Sequence, residues 1–404
     1  MAQPQADRTL RVDYQFAGNH RESHISVSEL SSFKGWAGRH VHTDRTPLVG
    51  NGDITLRDAQ TRHVRYTQSF STLYQEWLTT REATQTSRSF ENTFLLPMPD
   101  QPAEITVRLF GLTPGDTTTF THRVDPRDIL IRNLDALPVT PHRYLHQSGS
   151  PAEKIDVAIV AEGYTAAEAP AFYRDAAAAV ESILNHEPFK QYADRFNFVA
   201  VAAPSADSDV SIPTQGIWRH TALSSHFSTF YSDRYLTTLH LRDLHNLLVG
   251  IPYEHIIILA NTDTYGGGGI FNTYTLTTTH HRDFRPVVVH EFGHSFAGLA
   301  DEYYYDDQYE NYYSADVEPW EPNLTTLRDF DSKWKDLIPA GTPMPTPATT
   351  QYADRIGLYE GGGYMSRGVY RGFQDCRMKT NAYPRFCPVC QRAIERIIRF
   401  YTEP

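Results

Sequence analysis

The sequence lacks long apolar runs and an excess of basic side chains, and each lack excludes a class of protein. No run of 18 apolar residues occurs in the 404-residue chain, whereas a membrane-spanning helix needs about 20. Lys and Arg number 37 against 48 Asp and Glu, a net charge of −11, and nucleic acid binding needs a basic surface. We therefore predict no membrane span and no nucleic acid partner.

The N-terminus also lacks the charged and apolar regions of a signal peptide. Residues 1–8 read Met-Ala-Gln-Pro-Gln-Ala-Asp-Arg, and a secretory signal would begin with basic residues followed by 7 to 15 apolar ones. Two interpretations stay open at this point. The chain is either cytosolic or one from which a signal peptide has been removed.

Cysteine is scarce, with only three in the chain. Cys376, Cys387 and Cys390 cluster near the C-terminus. Their spacing suggests a zinc site or a redox pair, but a four-cysteine metal site needs a fourth ligand that the neighbouring sequence lacks. Three buried thiols, or one disulfide with a free thiol, are favoured. In the second case Cys376 pairs more easily with either of the others than those two pair together.

The remaining composition is that of a globular protein with two domains. Hydrophobic residues make up 40% and charged residues 21% of the chain, which argues against disorder. Residues 1–135 contain short segments of alternating polarity separated by turn signals, as in 9–16 and 104–111, and these predict an N-terminal β-sandwich with an accessory role. Residues 136–154 are rich in Pro, Gly and Ser, which predicts a linker.

Residues 155–404 alternate strands and helices, which predicts an α/β domain with parallel strands. Apolar strands are expected at 155–161, 196–202 and 254–260. Thr165 and Glu168 form a capping-box signature before a helix that ends near Leu184. A helix is also predicted near 232–248, and another over 388–401 with Ile394 facing inward.

The most informative segment is His290-Glu-Phe-Gly-His294. Two histidines four residues apart lie on one helix face and can bind a single metal ion, and Glu291 between them can act on a metal-bound water. Gly298 can end the helix because glycine adopts positive φ at little cost. The chain then presents Asp301 or Glu302 as a third ligand, and zinc hydrolases usually have three protein ligands.

Several neighbouring residues are candidates for supporting roles. His280 and His281 are less well placed alternatives for the third ligand, and Met365 or Met378 could pack beneath the metal, with Met378 favoured. A glycine-rich segment upstream predicts a sheet edge to which an extended peptide can add. The predicted substrate-binding residues of this segment are Gly267, Gly268, Gly269 and Ile270.

The combined motifs resemble the bacterial IgA-peptidase family of zinc metallopeptidases. The resemblance covers about residues 155–404 and rests on the segment from His290 to Tyr303, Tyr-Gly-Gly-Gly-Gly from 265, Val-Ala-Glu-Gly-Tyr-Thr from 160 and the cysteine-containing tail. An all-β N-terminal domain is also typical of that family. Its members are metzincin-like and typically exported. The resemblance thus implies a secreted, cell-surface or periplasmic protein with its signal peptide removed.

The resemblance also implies residue roles. His290, His294 and Asp301 would bind Zn²⁺, Glu291 would be the general base, and Met378 would form the methionine turn. Unlike the wider metzincin pattern, the third ligand is an acid and comes seven residues after His294 instead of six, so Glu302 stays an alternative.

The function expected from these residues is zinc-dependent hydrolysis of peptide bonds in a protein or peptide substrate, with host immunoglobulin as one possibility. The alternatives are a glycan- or protein-binding exported protein with a structural or degenerate zinc site, and an amidase acting on cell-wall peptides. The sequence predicts neither the cleavage site nor the oligomeric state.

Overall fold

Two facing four-stranded sheets form the N-terminal part of the protein. The computed structural model describes residues 8–111, 115–305 and 312–404, and the remaining residues of the predicted domains lie outside the described ones. The sheets have the orders β5-β1-β2-β8 and β4-β3-β6-β7. Their strands are β1 (Arg8–Asn19), β2 (Glu22–Lys34), β3 (Gly52–Asp58), β4 (Val64–Phe70), β5 (Arg88–Pro97), β6 (Ala103–Phe110), β7 (Thr117–Val124) and β8 (Arg132–Asn133).

Aromatic side chains join these two sheets. Phe70 of β4 lies in one sheet and Phe94 of β5 in the other, and their ring centroids are 4.6 Å apart. A short helix, α1 (Leu73–Leu78), connects the two strands and is capped by the side chain of Thr72. The prediction of an all-β N-terminal domain is confirmed.

A six-stranded sheet forms the centre of the second part, in the order β13-β14-β12-β10-β11-β9. Its strands are β9 (His142–His146), β10 (Ile155–Glu162), β11 (Phe196–Val201), β12 (His255–Ala260), β13 (Gly267–Ile270) and β14 (Tyr274–Thr278). The four inner strands are parallel, as predicted, and the two edge strands are antiparallel to their neighbours. Strands β10, β11 and β12 are buried along their whole length, which is typical of parallel strands covered on both faces.

The linker predicted over residues 136–154 is interrupted by β9. This strand pairs with β11 and satisfies the backbone hydrogen bonds at that edge of the sheet. Its neighbours Pro141 and Gly149 gave the segment the composition of a loop, although the five residues of the strand contain neither proline nor glycine. Residues 142–146 of the predicted linker therefore form an edge strand of the central sheet.

Four helices follow or flank this sheet. They are α2 (Ala169–Leu184), α3 (Leu241–Leu247), α4 (Phe284–Ala297) and α5 (Pro388–Thr402). The capping box at Thr165 and Glu168 is present, and Ile394, Ile397 and Ile398 of α5 are buried, as predicted. None of the described helices is long and apolar enough to cross a membrane.

The helix predicted near 232–248 is wrong over its first half. Only Leu241–Leu247 is helical. Upstream, Tyr235 forms a bridge with Gly267, and Thr237 forms one with His226. These extended contacts use the backbone groups that a helix would need, and threonine tolerates them well because it is β-branched.

Each face of the central sheet packs against a different layer. Val157 and Ile159 of β10 contact the helical layer of α2, α4 and α5. Ala158 and Val160, which point to the opposite face, belong to the same hydrophobic cluster as the N-terminal sheets. The N-terminal domain thus forms one continuous core with the sheet that carries the predicted site.

A small sheet completes the C-terminal part. It consists of β15 (Tyr304–Tyr305), β16 (Leu324–Thr325), β17 (Tyr359–Gly362) and β18 (Tyr364–Arg371). Strand β18 pairs with all three others, so it lies beside the segment that follows the predicted third ligand.

Candidate metal centre

Helix α4 and the turn after it place the two histidines of the motif. Residues 290 and 294 are one turn apart on the helix. The helix ends at Gly298, which has φ 60° and ψ 30°, and its N–H bonds the carbonyl of His294 at 2.9 Å. Such a left-handed glycine reverses the chain after a helix. The predicted end of the helix is therefore confirmed, and Asp301 is returned towards the histidines.

The side chains of His290, His294 and Asp301 converge on one point. Asp301 Oδ1 lies 3.0 Å from His290 Nε2 and 3.3 Å from His294 Nε2. The two Nε2 atoms are 3.0 Å apart. The structure thus brings together the three residues that the sequence assigned as ligands.

The hydrogen bonds on the far side of each ring fix the tautomers. His290 Nδ1 donates to the carbonyl of Arg377 at 2.9 Å, and His294 Nδ1 donates to the carbonyl of Leu299 at 2.5 Å. Since a carbonyl only accepts, both Nδ1 atoms carry hydrogen, and in the neutral rings both Nε2 atoms are bare acceptors.

Three acceptors therefore face one another. Asp301 Oδ1 is buried and has no hydrogen-bond donor among the described residues. Two imidazole nitrogens and a carboxylate oxygen form a ligand set that zinc prefers. A cation at this point satisfies all three atoms, so the residues fit a metal ion.

The electrostatics also require a positive charge. Burial disfavours a charged His294, but Asp301 outweighs this effect and raises the pKa of His294 to about 9. The pKa of Asp301 is lowered in spite of its burial, because both histidines stabilise the carboxylate. Either a proton or a metal ion can supply the charge, and the two must compete.

The side chain of Glu291, on helix α4, faces the glycine strand β13. A Cβ atom on Gly267 would be 3.0 Å from Glu291 Oε1, and one on Gly269 would be 2.7 Å from His294 Cβ. On the other side of the strand, a Cβ on Gly268 would lie 2.7 Å from the Tyr235 ring. Glycine is needed here because the strand passes between α4 and Tyr235 with no room for side chains.

Strand β13 is an edge strand, as predicted, although Tyr235 bridges to Gly267 at one end. Ile270, the last residue of the strand, is buried and belongs to the hydrophobic core. The predicted role of Gly267 to Ile270 in aligning a substrate stays a prediction.

Glu302 does not join the two histidines. Its Oε1 lies 3.1 Å from Cys390 Sγ, in a different buried cluster. His280 pairs with Asp175 at 3.1 Å, and His281 packs against Tyr265. Of the residues considered for the third ligand, the geometry places only Asp301 with His290 and His294.

Met378, the favoured candidate for the methionine turn, packs against helix α4. It is fully buried, and its Sδ would be 2.9 Å from a Cβ on Gly293. Its carbonyl accepts the N–H of Glu302 at 2.8 Å. Met365 lies elsewhere, where its sulfur accepts the N–H of Tyr313 at 3.1 Å.

Two contacts of the site could not be found from the sequence. The hydroxyl of Tyr364 donates to Asp301 Oδ2 at 2.5 Å from 63 residues away, and the carbonyl of Arg377 orients His290 from 87 residues away. Neither residue carries a local signal, since a tyrosine in a strand and a backbone carbonyl have no distinctive spacing.

Comparisons with known proteins identify the family of the chain. A family model described as IgA Peptidase M64 matches residues 144–353 and 348–398, which is more than half of the chain. A second model, described as Peptidase M64 N-terminus, matches residues 2–120. A search of curated proteins found no match.

Proposed function

Since the chain belongs to the IgA peptidase M64 family and is therefore a peptidase, we propose that it is a zinc-dependent endopeptidase. The proposed metal ligands are His290, His294 and Asp301. The observation that carries the proposal is the convergence of three acceptor atoms within 3.0 to 3.3 Å of one another. When bound, zinc lowers the pKa of a coordinated water towards about 7 and polarises the scissile carbonyl.

Glu291 is the proposed general base. It follows His290 directly on α4, and burial raises the pKa of its carboxyl above the ordinary value. A raised pKa brings a carboxylate closer to the optimum for proton transfer near neutral pH. Glu291 accepts the proton of the attacking water and then donates it to the leaving amine as the peptide bond breaks.

Protein or peptide chains are the substrates of a peptidase, and we propose that β13 aligns them. The strand is at the edge of the sheet, beside Glu291, and an extended peptide would add to the part of this edge that Tyr235 does not bridge. Immunoglobulin A as the substrate, and export from the cell, are further proposals that rest on the family resemblance.

The peptidase part is proposed to be metzincin-like. Three features support this proposal. Helix α4, which carries both histidines, packs against the edge strand β13, and the turn at Gly298 brings Asp301 back to the histidines. The third feature is that Met378 packs against Gly293 of α4. We also propose that the N-terminal domain ends near residue 135 and that residues 136–154 connect it to the peptidase part, with β9 of this connection paired to the central sheet. The N-terminal domain is proposed to be an accessory that supports the sheet through the shared core.

Glu291→Gln tests the mechanism. The variant keeps the shape of the side chain but cannot accept the proton. We expect zinc content equal to wild type and a loss of peptidase activity of at least about 100-fold, measured on a peptide library by mass spectrometry. Glu181→Gln, on the exposed surface of α2, is the control and should keep full activity.

The same assay tests the competing function, a binding protein with a structural zinc site. Wild-type hydrolysis that a chelator abolishes and zinc restores supports the peptidase. Turnover that survives in Glu291→Gln would overturn the role of Glu291. A wild-type protein that hydrolyses no peptide with zinc bound would favour the binding protein.

A further inference from the structure

A second group of metal-ligating side chains lies behind the first centre. It consists of Cys376, Cys387, Cys390 and Glu302, called here the cysteine cluster. All four residues are completely buried, and one ligand atom from each lies within 4.8 Å of every other. The three cysteines, all within the described residues, are free thiols.

We propose that the cysteine cluster binds a second Zn²⁺ ion through three sulfurs and one carboxylate oxygen. In a tetrahedral site with Zn–S bonds of about 2.3 Å, two sulfurs are about 3.8 Å apart. The sulfurs of Cys376 and Cys390 are 3.7 Å apart.

The carboxylate has a matching position. A zinc-bound oxygen and sulfur are about 3.5 Å apart for bonds of about 2.0 and 2.3 Å. Glu302 Oε1 lies 3.1 Å from Cys390 Sγ and 3.9 Å from Cys387 Sγ. These two distances lie on either side of the expected one.

The surroundings of the cysteine cluster prepare it for a cation. The N–H of Cys387 donates to Cys376 Sγ at 3.2 Å, and the N–H of Cys390 donates to Cys387 Sγ at 3.5 Å. Cys387 is also the N-cap of helix α5. Amide donors and a helix N-terminus stabilise thiolates, which are the form of cysteine that binds metal.

The carboxylate of Glu302 is buried and only partly hydrogen-bonded. Asn323 Nδ2 donates to its Oε1 at 3.1 Å, but its Oε2 has no hydrogen-bond partner in the described part of the chain. The charge of Arg371 acts on Glu302, but no ion pair joins the two among the described residues, and an acidic side chain is rarely placed in a protein interior without a paired counter-charge. A zinc ion supplies this charge, and soft thiolates select zinc over magnesium or calcium.

A disulfide is a poorer explanation of the same residues. A bridge between Cys376 and Cys390 requires about 2.05 Å between sulfurs, against the 3.7 Å observed. It would also leave Cys387 and Glu302 buried beside an uncharged bridge. A metal ion uses all four side chains.

The second ion would hold the first centre in shape. Glu302 follows Asp301 directly, and its N–H bonds the carbonyl of Met378. Cys376 starts the turn that carries the Arg377 carbonyl, which orients His290. An ion bound by Glu302 would thus fix the position of the adjacent Asp301. The same ion, bound by Cys376, would fix the adjacent Arg377 carbonyl and so the hydrogen bond that orients His290.

Metal counting on the full chain tests the proposal independently of activity. We expect about two zinc ions per wild-type chain by mass spectrometry of the metals, and about one in Cys390→Ser and in Glu302→Gln. His294→Ala is the matched variant, because it damages the other centre and should also retain about one.

Cobalt substitution distinguishes the two centres. Thiolate-to-cobalt charge-transfer absorption in the near ultraviolet is expected in wild type and in His294→Ala, and it should be absent in Cys390→Ser. If Cys390→Ser does not fold, the spectrum of His294→Ala still decides, since its cobalt would be bound by the cysteine cluster.

Three results would overturn the proposal: one zinc per wild-type chain that disappears in His294→Ala, a cobalt spectrum of wild type without thiolate bands, or a disulfide found in the protein under non-reducing conditions. None of these outcomes touches the peptidase proposal, because a structural ion is not needed for the chemistry of the first centre.

Discussion

The hydroxyl of Tyr364 donates a 2.5 Å hydrogen bond to Asp301 Oδ2. The other oxygen of that carboxylate, Oδ1, is left to face the two histidines. A hydrogen bond behind a metal ligand fixes its orientation. Tyr364 is therefore a positioning residue for the proposed third ligand, brought beside it by the pairing of β15 with β18.

Tyr364→Phe should weaken zinc binding by roughly 10- to 100-fold, because Asp301 loses the bond that orients it. The phenyl ring keeps the contact with Tyr303, whose ring centroid is 5.3 Å away, so folding should be preserved. Titration against a competing chelator measures the change. Tyr359→Phe is the control, since its hydroxyl bonds the carbonyls of Tyr352 and Arg355 and none of the proposed metal ligands among the described residues. Equal zinc affinity in wild type and Tyr364→Phe would contradict the role of the hydroxyl.

Replacing Gly267 and replacing Gly269 in β13 should have different effects on activity, zinc content and stability. In Gly267→Ala the new methyl group crowds Glu291 Oε1 at 3.0 Å. This side-chain oxygen can move, so we expect a lower kcat with zinc content and stability near wild type. A loss of zinc from Gly267→Ala as large as that from His294→Ala would contradict this prediction.

Gly269→Ala should instead lower stability and zinc content together. Its methyl group meets the backbone carbonyl of Glu291 and lies 2.7 Å from His294 Cβ, so helix α4 itself must shift. Overpacking of this kind costs about 1–3 kcal/mol. Gly341→Ala, at a turn with open space around it but φ of 79°, should lose stability through backbone strain alone and should leave zinc content unchanged. Thermal unfolding and metal analysis of the two variants measure the difference.

How much of the site the sequence predicts depends on the distance between its residues along the chain. Helix α4 and its end at Gly298 were predictable, because histidine spacing and the left-handed glycine are local signals. Asp301 was within reach of the same argument, with its neighbour Glu302 as the main alternative and His280 and His281 as less well placed ones. The structure separates the two acids into different clusters, which no spacing rule could do.

The cysteine cluster shows where sequence reasoning fails. The sequence offered three cysteines and no fourth ligand, because Glu302 lies 85 residues before Cys387. Only the folded chain brings the turn after α4 against the N-terminus of α5. The same limit applies to α3, since extended pairing of Tyr235 and Thr237 with distant residues overrides the local helical pattern.

The stability of the protein should depend on pH through Asp156, a residue outside the metal centre. This carboxyl is buried, its Oδ1 accepts from Asn197, and its Oδ2 has no hydrogen-bond partner within the described ranges. Burial raises its pKa from 3.8 to about 6. The folded state therefore holds the proton more tightly than the unfolded state, and the free energy of unfolding falls as pH rises from about 4 to about 6.

Asp156→Asn should remove this dependence. At pH 7.5 the variant should be more stable than wild type by up to about 3 kcal/mol, since one pKa unit corresponds to roughly 1.4 kcal/mol, and the gain should vanish near pH 4. Calorimetric unfolding at the two pH values measures the gain. Asp331→Asn, at an exposed carboxylate, controls for the loss of a charge. A destabilised Asp156→Asn protein at pH 7.5 would show that the carboxylate is needed in its charged form.

A metal ion and a proton should compete for Nε2 of His294. Asp301 raises the pKa of His294 to about 9 in spite of burial, so the metal-free site holds a proton at neutral pH. Zinc must displace it, and the apparent zinc affinity should fall about tenfold per pH unit as pH drops below about 9. Asp301→Asn removes the charge that holds the proton. At pH 8 wild type should release about one more proton per chain on binding zinc than this variant. Calorimetric titration in buffers of different ionisation enthalpy counts these protons, and contributions from the cysteine cluster cancel because it is unchanged in the variant. An equal proton count in both proteins would mean that His294 binds zinc without losing a proton, and that the carboxylate does not control its charge.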